Sequence, residues 1–422
     1  MQNKLNDYTK SREYFERALK VIPSGVYGHL GPASGCMTPV EAYPFFASKA
    51  QGQYFWDADG NKFLDYMCAY GPSVLGYGDP DVDEAFKKQL ADGDCLTLPS
   101  FKMVELAELL VDTVKSANWA YFMKNGGDAT SYSIMIAREA TRRKKIVFVN
   151  GFYHGVMPWC QKIDNAGVIE DDIRNALYIE FNDFTALEKV FAEHGDSIAG
   201  FIGTPYMHGN FKTNVTPANG YWQRVRELCT KHSSVLIIDD IRCGFRLDLA
   251  GSDHFYGFEA DLICFCKAIA NGYNISALCG KDFLKPVASA IMFTGSYWMS
   301  SAPMAAAIAN INKLKKLNAP KFLKETGQKV TDIIVKAGAL HGFEVEVSGE
   351  PALFYLMLKN DYSQIIHQQW VAECVKRGVF LTNHHNHFTC MAMTDSDINF
   401  TGEVAEEAFK VTRKNNPKFF GD

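Results

Sequence analysis

Val235-Leu-Ile-Ile238 is a short, wholly apolar run that gives way directly to two carboxylates, Asp239 and Asp240. Runs of this length are typical of strands rather than of buried helices. Three similar runs, also flanked by helical stretches, occupy residues 145–149, 198–202 and 262–265. Strands without polar alternation are buried on both faces, as in a parallel sheet covered by helices. The sequence therefore predicts an α/β fold around a mostly parallel sheet.

Both ends of the chain predict a second, smaller domain. Residues 8–19 have amphipathic helical spacing, and an Asp/Gly turn at residues 57–60 separates two apolar runs, the pattern of a β-hairpin. Residues 303–340 are again helical in pattern, and residues 343–360 and 378–394 have the composition of strands. We therefore predict that residues 1–59 form the N-terminal part of the small domain, residues 60–295 the large α/β domain, and residues 296–422 the rest of the small α+β domain.

The composition of the 422-residue chain excludes several classes of partner. Forty-three Lys and Arg side chains oppose 48 Asp and Glu, for a net charge of −5, whereas binding to nucleic acid backbones needs a basic surface. No apolar run approaches the ~18–20 residues that span a bilayer, and the polar N-terminus does not resemble a signal peptide. The eleven cysteines are dispersed and show no paired metal-binding spacing. We expect a protein of the reducing cytoplasm that binds neither nucleic acid nor membrane.

Two glycine-containing turns follow apolar runs, at the sheet edge where open α/β folds bind ligands. Residues 124–127 read Lys-Asn-Gly-Gly and lead into a helix. Adjacent glycines let backbone N–H groups approach an anion, and the helix adds its positive end, so this turn suits a phosphate. Residues 151–155 read Gly-Phe-Tyr-His-Gly, which suits stacking on a planar ring. An ordinary strand-to-helix turn and a solvent-exposed turn are the respective alternatives.

Asp239 and Lys267 each lie just beyond an apolar strand. A carboxylate in that position costs free energy unless it meets a metal, a cation or a protonated ring nitrogen. A helix cap or a salt bridge to Arg242 or Arg246 is the structural alternative. A lysine there loses hydration, which lowers its pKa and makes its amine nucleophilic, although a solvated surface lysine is the common case.

Pyridoxal phosphate requires all four features together. Its phosphate needs a cradle, its ring an aromatic neighbour, its pyridine nitrogen a carboxylate and its aldehyde a lysine that forms a Schiff base. The four strand-end motifs therefore predict this cofactor as a set, although each of them alone is weak.

The sequence resembles the class III pyridoxal-phosphate aminotransferases of fold type I, specifically the branch that contains glutamate-1-semialdehyde 2,1-aminomutase. The resemblance covers nearly the whole chain in the family's order. The matching segments are Ile22-Pro-Ser-Gly-Val26 (IPGGV in the family), Tyr54-Phe-Trp-Asp-Ala-Asp-Gly-Asn61 (YLWDVDGN), Gly71-Pro72 with Leu75-Gly76-Tyr77 (GPMILGH), residues 122–129 (FxNSGTEA), residues 151–155 (GxYHG), residues 236–246 (LIFDEVxxGFR), residues 267–277 (KxxGGGxPxxA) and Ala392-Met-Thr394 with Asp397-Ile398 (AHTxxDI).

The resemblance implies a large domain with a mostly parallel, seven-stranded type of sheet and an obligate homodimer with shared active sites. It implies Lys267 as the Schiff-base lysine and Asp239 as the partner of the pyridine nitrogen. The other implied cofactor-binding residues are Asn125, Gly126 and Gly127 at the phosphate, Tyr153 stacked on the ring and His154 beside it. In the family a hydroxyl from the neighbouring subunit completes the phosphate site. The segment that supplies it is rearranged here, and we predict Ser296 for this role, with Ser300 as the alternative.

Departures from the family pattern bear on the substrate. The aminomutase binds its substrate carboxylate with an arginine in a segment that here runs from Pro23 to Gly31 and contains no arginine. Glycine cannot replace a bidentate carboxylate contact. The family's Glu-Pro at a strand end is Thr204-Pro205 here, which removes an acidic group. Tyr27, His29 and His384 are the predicted substrate-binding residues, through hydrogen bonds to a hydroxylated substrate. The histidine-rich segment 384–387 is not predicted to bind metal.

The sequence thus predicts an aminotransferase that transfers an amino group to an aldehyde or ketone, such as a keto sugar or another polar carbonyl compound. An aminomutase of the glutamate-1-semialdehyde type, a racemase or an ammonia-lyase remains the alternative, because these reactions share the first proton abstraction. A non-enzymatic relative is a third hypothesis, against which the intact lysine and aspartate argue.

Overall fold

The computed structural model describes residues 5–26 and 42–420, which form two compact units. The large unit comprises Pro80–Met207 and Thr216–Pro320. The small unit comprises the described residues up to Asp79, the segment His208–Val215 and the described residues from Lys321 onward. The units therefore divide the chain at other positions than the predicted limits at residues 60 and 296. Both strands of the predicted hairpin belong to the small unit, and the helix that begins at Ser301 starts in the large one.

The strands of the described residues are short. In chain order they are β1 (Ala47–Gln51), β2 (Tyr54–Asp57), β3 (Lys62–Asp65), β4 (Trp119–Met123), β5 (Lys145–Val149), β6 (Ala176–Ile179), β7 (Ile198–Gly203), β8 (Val235–Asp239), β9 (Leu262–Phe265), β10 (Ser276–Gly280), β11 (Val345–Ser348), β12 (Tyr355–Leu358) and β13 (Val379–Phe380).

The α-helices range from single turns to six turns. They are α1 (Thr9–Leu19), α2 (Pro80–Asp92), α3 (Phe101–Thr113), α4 (Gly126–Thr141), α5 (Glu170–Ile173), α6 (Phe184–His194), α7 (Tyr221–Lys231), α8 (Ser252–Phe255), α9 (Lys285–Ala290), α10 (Ser301–Leu317), α11 (Ala319–Leu340), α12 (Ile365–Val375) and α13 (Asp395–Asn415). Within the two described ranges, none of them combines the length and apolarity that a membrane span requires.

The large unit is built on a seven-stranded sheet with the order β4-β10-β9-β8-β7-β5-β6. Only β10 runs antiparallel to its neighbours, so the sheet is mostly parallel, which confirms the predicted fold class. Every residue of β7, β8, β9 and β10 is buried. This explains the unbroken apolar runs, because a strand covered on both faces has no side that favours polar residues.

Parallel pairing brings the ends of β8 and β9 together. Asp239 lies opposite Cys264 in the register, and the Asp240 N–H donates to the Cys264 carbonyl over 3.0 Å. Lys267 follows β9 by two residues, so both chemically important side chains leave the sheet at the same edge.

The small unit contains a four-stranded sheet, β1-β2-β3-β13, and a two-stranded sheet, β11-β12. Tyr54 pairs with Leu64 in antiparallel register, which confirms the predicted hairpin. The strand prediction for residues 378–394 was wrong beyond β13. There the buried backbone bonds to scattered loops, as in the donation of the Phe388 N–H to the Tyr66 carbonyl (2.7 Å), and no ladder forms.

Candidate active site

The predicted phosphate cradle forms the start of α4. Asn125 precedes this 16-residue helix, and its N–H donates to the Asp128 carboxylate over 2.8 Å. Asn125 is exposed, and Gly126 and Gly127 are half-buried. A methyl group on Gly126 would lie 2.5 Å from Cδ1 of Ile241, so any larger residue here would require the Ile241 side chain to shift. The turn therefore offers unobstructed N–H groups at the positive end of a long helix, which suits an anion.

Asp239 and His154 form a buried pair. Nδ1 of His154 lies 2.8 Å from Oδ2 of Asp239, and the two residues are 3% and 4% exposed. The other carboxylate oxygen accepts the Ile241 N–H over 3.2 Å. Sequence reasoning placed His154 beside Tyr153 and left open a salt bridge from the carboxylate to Arg242 or Arg246. The structure gives the carboxylate His154 as its side-chain partner, an ordered arrangement that suits holding a ring N–H.

The neighbouring Asp240 has a different environment. Its carboxyl accepts the Ser252 hydroxyl over 2.5 Å and the Ser252 N–H over 2.9 Å. Burial holds the pKa of Asp240 well above its ordinary value, which favours the uncharged form. Of the two adjacent acids, Asp240 thus fastens the start of α8.

Lys267 begins a short 3₁₀ turn, Lys267–Ala270, directly beyond β9. The side-chain amide of Asn310 on α10 donates to the carbonyls of Ala268 (2.8 Å) and Ile269 (2.9 Å) and fixes this turn. Lys267 has a φ of +45°, a conformation that side chains other than Gly and Asn adopt rarely. Burial, with Arg242 as the next cause, lowers the pKa of Lys267 to about 7. Near neutral pH a large share of the amine is therefore unprotonated and nucleophilic.

Arg242 is the residue whose place sequence reasoning missed. It was considered only as a salt-bridge partner, yet it lies close enough to Lys267 to lower the pKa of that amine. It is also close enough to Tyr153 to affect the pKa of that hydroxyl. The sequence feature that could have indicated this place is the position of Arg242, three residues after the strand-end carboxylate Asp239.

The other predicted residues differ in their surroundings. Tyr153 is 61% exposed and Ser296 is exposed, so both can meet a ligand or a second chain. Ser300 is buried, and its hydroxyl bonds to the Asp94 carboxylate over 2.6 Å. His384 is buried in the small unit, with its ring centroid 6.0 Å from that of Phe211. Tyr27 and His29 lie outside the described residues.

The strand-end residues fit pyridoxal phosphate. A glycine cradle can take its phosphate, an oriented carboxylate can take its ring nitrogen, and an amine with a lowered pKa can take its aldehyde. An open cavity of about 590 Å³ lies elsewhere, lined by Val235 at the start of β8 and by Arg226, Asp261 and Lys281, and it does not include these residues. Across residues 5–26 and 42–420, no cluster of three or more His, Cys, Asp or Glu side chains is arranged for a metal ion.

Comparison with known proteins identifies the family. The sequence profile described as "Aminotransferase class-III" matches residues 37–399. The chain belongs to the class-III aminotransferases. This class-III aminotransferase is 37% identical over 401 residues to an aminopentol aminotransferase of Sphingopyxis macrogoltabida, a match that covers 95% of this chain and 94% of that protein. It is 31% identical over 411 residues to a 3-aminobutyryl-CoA aminotransferase of Cloacimonas acidaminovorans (96% and 98% covered).

A glutamate-1-semialdehyde 2,1-aminomutase of Desulforamulus reducens is 31% identical over 441 residues, covering 96% of this chain and 99% of that protein. Among solved structures, the PLP internal aldimine form of the FumI protein of Sphingopyxis sp. MTA144 superposes with a TM-score of 0.93 at 36% identity, covering 96% of this chain and 97% of that one. This class-III aminotransferase therefore has fold type I and uses pyridoxal phosphate, as the sequence predicted. The aminomutase alternative is the more distant one.

Proposed function

We propose that this aminotransferase moves an amino group between a polyhydroxylated amine or carbonyl compound and a second carbonyl compound, with Lys267 as the residue that bonds to the cofactor. The Lys267 amine carries this proposal. It lies at the carboxyl edge of the sheet, half-buried, with its pKa lowered to about 7, on a turn that Asn310 fixes. Such an amine is available both as a nucleophile and as a proton carrier at neutral pH.

Each residue of the site has one proposed task. When bound, pyridoxal phosphate supplies a ring that stabilises negative charge on the carbon that carries the amino group. Asn125, Gly126 and Gly127 would bind the phosphate, the two glycines through their N–H groups, because the Asn125 N–H already donates to the Asp128 carboxylate. Asp239, oriented by His154, holds the ring N–H. Nζ of Lys267 takes a proton from the substrate carbon that carries the amino group. It then delivers this proton to the carbon that receives the amino group. Tyr153 would cover one face of the ring.

A hydroxylated substrate is supported by two independent observations. One relative is named for its action on aminopentol, an amine with five hydroxyl groups. The segment from Pro23 to Gly31 lacks the arginine with which the aminomutase branch binds a carboxylate. Tyr27, His29 and His384 remain the proposed hydrogen-bonding partners of the substrate hydroxyls.

We also propose a cytoplasmic homodimer. Several large apolar side chains of the large unit are exposed: Leu98, Phe101, Val156, Met292 and Tyr297. The bond between Ser300 and Asp94 joins two of the segments that carry them. Exposed apolar side chains in such number favour burial against a second subunit, with Ser296 reaching the partner's phosphate. A reducing compartment fits the ten described cysteines, all of which are free thiols.

Borohydride reduction tests the role of Lys267. Reduction of the cofactor-loaded protein should fix the cofactor covalently on Lys267, as mapped by peptide mass spectrometry. Lys267→Arg should give no adduct and lose at least about 10³-fold in amino transfer. Lys285→Arg, on the exposed side of α9, is the matched control and should behave as the wild type. An adduct on any other lysine would contradict the proposal.

The substrate class is tested with glucamine, an amine with five hydroxyl groups, against hexylamine, which has the same carbon chain without them. The loaded enzyme, given either amine alone, should convert its cofactor to the aminated form, with glucamine faster by about tenfold or more because hydrogen bonds to the hydroxyls are made. Equal rates would contradict a hydroxylated substrate. If neither amine converts the cofactor to its aminated form, the racemase or lyase alternative would be favoured.

A further inference from the structure

The turn at residues 151–155 packs backbone against backbone on the start of α4. A methyl group on Gly155 would lie 2.9 Å from Cα of Gly127, and Gly155 has a φ of +111°, a conformation that favours glycine. The turn forms no helix or strand, so its buried carbonyl groups need partners from other segments. The side-chain amide of Gln161 donates to the Gly155 carbonyl over 2.7 Å. The phosphate cradle and the turn that carries His154 are therefore in direct contact.

Thr130, in the second turn of α4, supplies the partner of the preceding carbonyl. Its buried hydroxyl lies 2.8 Å from the carbonyl oxygen of His154 and 3.2 Å from that of Gly127. A bond to a carbonyl three residues earlier is common for a threonine in a helix, whereas the bond to His154 joins residues 24 positions apart. A hydroxyl has one hydrogen to donate, and the shorter distance favours donation to His154. The Thr130 side chain thus ties the backbone of His154 to α4.

His154 carries this constraint to Asp239. Its Nδ1 lies 2.8 Å from Oδ2 of Asp239, and both residues are buried. The backbone position of a histidine sets where its ring can lie, and a hydrogen bond weakens steeply when its distance or angle departs from the optimum. The bond from Thr130 to the His154 carbonyl therefore helps to determine how well the ring meets the carboxylate.

We propose that Thr130 is a positioning residue for amino transfer, whose hydroxyl holds the backbone of His154 so that the His154 ring orients the Asp239 carboxylate. The inference rests on the proposed function, in which Asp239 holds the ring N–H of pyridoxal phosphate. The helix that offers its N-terminal N–H groups to the phosphate would then also support, through Thr130, the contact at the opposite end of the cofactor ring.

A double-mutant cycle tests this role. It compares the wild type, Thr130→Val, Asp239→Asn and the double variant, where Thr130→Val replaces the hydroxyl by a methyl group. Each protein is loaded with pyridoxal phosphate, checked by thermal melting, and given whichever of glucamine and hexylamine the wild type converts faster. The rate at which the cofactor becomes aminated is recorded. The dissociation constant for pyridoxal phosphate is measured by absorbance titration.

Two further variants are the controls. Thr130→Ser keeps the hydroxyl and should react at close to the wild-type rate. Thr141→Val, at the last residue of the same helix, removes a hydroxyl that donates to the Ala137 carbonyl over 2.7 Å. This hydroxyl bonds within its own helix and not to the turn at residues 151–155, so its loss should leave the rate unchanged.

The proposal predicts that the two substitutions are not additive. Thr130→Val should lower the rate by about fivefold or more while Asp239 is present, and by less than about twofold in the Asp239→Asn protein, because the orientation of the side chain matters little once its charge is lost. Equal losses in both backgrounds would mean that Thr130 supports only the fold, and would overturn the proposal. An unchanged rate in Thr130→Val, or a loss that Thr130→Ser shares, would overturn it as well.

Thr130→Cys replaces Thr130→Val in the cycle if the valine variant does not fold. Its thiol is a weaker donor than a hydroxyl, so a loss of rate is again expected only where Asp239 is present. Failure of the proposed function has a different signature, since the wild type itself would then convert neither amine or give no borohydride adduct at Lys267. In that case the dissociation constant decides the role of Thr130, which should weaken cofactor binding on substitution only while Asp239 is present.

Discussion

Two groups of buried ionisable side chains, one in each unit, are treated in opposite ways. In the large unit Nδ1 of His154 lies 2.8 Å from the Asp239 carboxylate, so this histidine has a side-chain partner on one ring nitrogen, and its Nε2 has none among the described residues. In the small unit His367 is equally buried, yet neither of its ring nitrogens has a hydrogen-bond partner among the described residues. Nearby His387 bonds through Nε2 to the Thr382 carbonyl (3.0 Å), and its Nδ1 is unpartnered within the same residues. Burial lowers the pKa of His367 to about 4 and that of His387 to about 3.

The difference indicates that the Asp239–His154 pair serves catalysis, whereas the histidine cluster of His367 and His387 serves packing of the interior. A charge is retained in the interior only where hydrogen bonds stabilise it, whereas a group without such partners is held neutral. We therefore expect substitutions in the pair to change catalysis and substitutions in the histidine cluster to change stability.

Within this comparison of the two buried groups, the largest effect is expected for Asp239→Asn. The amide can still accept the His154 hydrogen bond, so the fold should be kept while the negative charge is lost. We expect kcat/KM for amino transfer to fall by about 10²-fold or more. The adjacent Asp240→Asn is the control, because an amide resembles the uncharged carboxyl that Asp240 favours. If steady-state kinetics show the same loss of activity in both variants, the proposed role of the Asp239 carboxylate in amino transfer is wrong.

Gly126→Ala should weaken the binding of pyridoxal phosphate by about tenfold or more, since the added methyl group meets Cδ1 of Ile241. The dissociation constant is measured by absorbance titration. Gly126→Ala combined with Ile241→Ala should recover part of the affinity. Tight binding by Gly126→Ala would show that the cradle is not where the phosphate lies.

The histidine cluster should make the protein sensitive to acid. His367 titrates near its ordinary pKa of 6.5 when unfolded and near 4 when folded, so below pH 6.5 the unfolded chain binds more protons. The contribution of His367 to the free energy of unfolding is fully present above pH 6.5. It falls by about 1.4 kcal/mol for each pH unit between pH 6.5 and pH 4.

Urea unfolding between pH 7.5 and pH 5 measures this slope. His367→Phe should flatten it. An unchanged slope in His367→Phe would mean that folding does not lower the pKa of His367, which would remove the contrast with the Asp239–His154 pair.

The fold was predictable because burial on both faces leaves a direct mark in the sequence. The apolar runs at 145–149 and 262–265 became β5 and β9 with the bounds that the composition indicated. The residues that follow β8 and β9 were predictable as a group, since carboxyl ends of parallel strands meet at one edge.

Contacts between distant segments were not predictable in the same way. His154 and Asp239 are 85 residues apart, and only the register of the folded sheet brings Nδ1 to the carboxylate. The buried loop after β13 was mistaken for strands, because composition indicates burial but not which backbone groups pair. The place of Arg242 was missed for a similar reason, since a side chain at a turn can point toward several neighbours.

The left-handed backbone at Lys267 places the requirements of stability and of activity in conflict at one residue, because the lysine that the reaction needs is not the residue that this conformation favours. That conformation costs a lysine about 1 kcal/mol, whereas asparagine adopts it more readily. A lineage released from selection for catalysis would gain stability by replacing the lysine. The fold can therefore persist after the catalytic activity is lost. Descendants of this chain that retain the fold as binding proteins would be expected to lose this residue among the first.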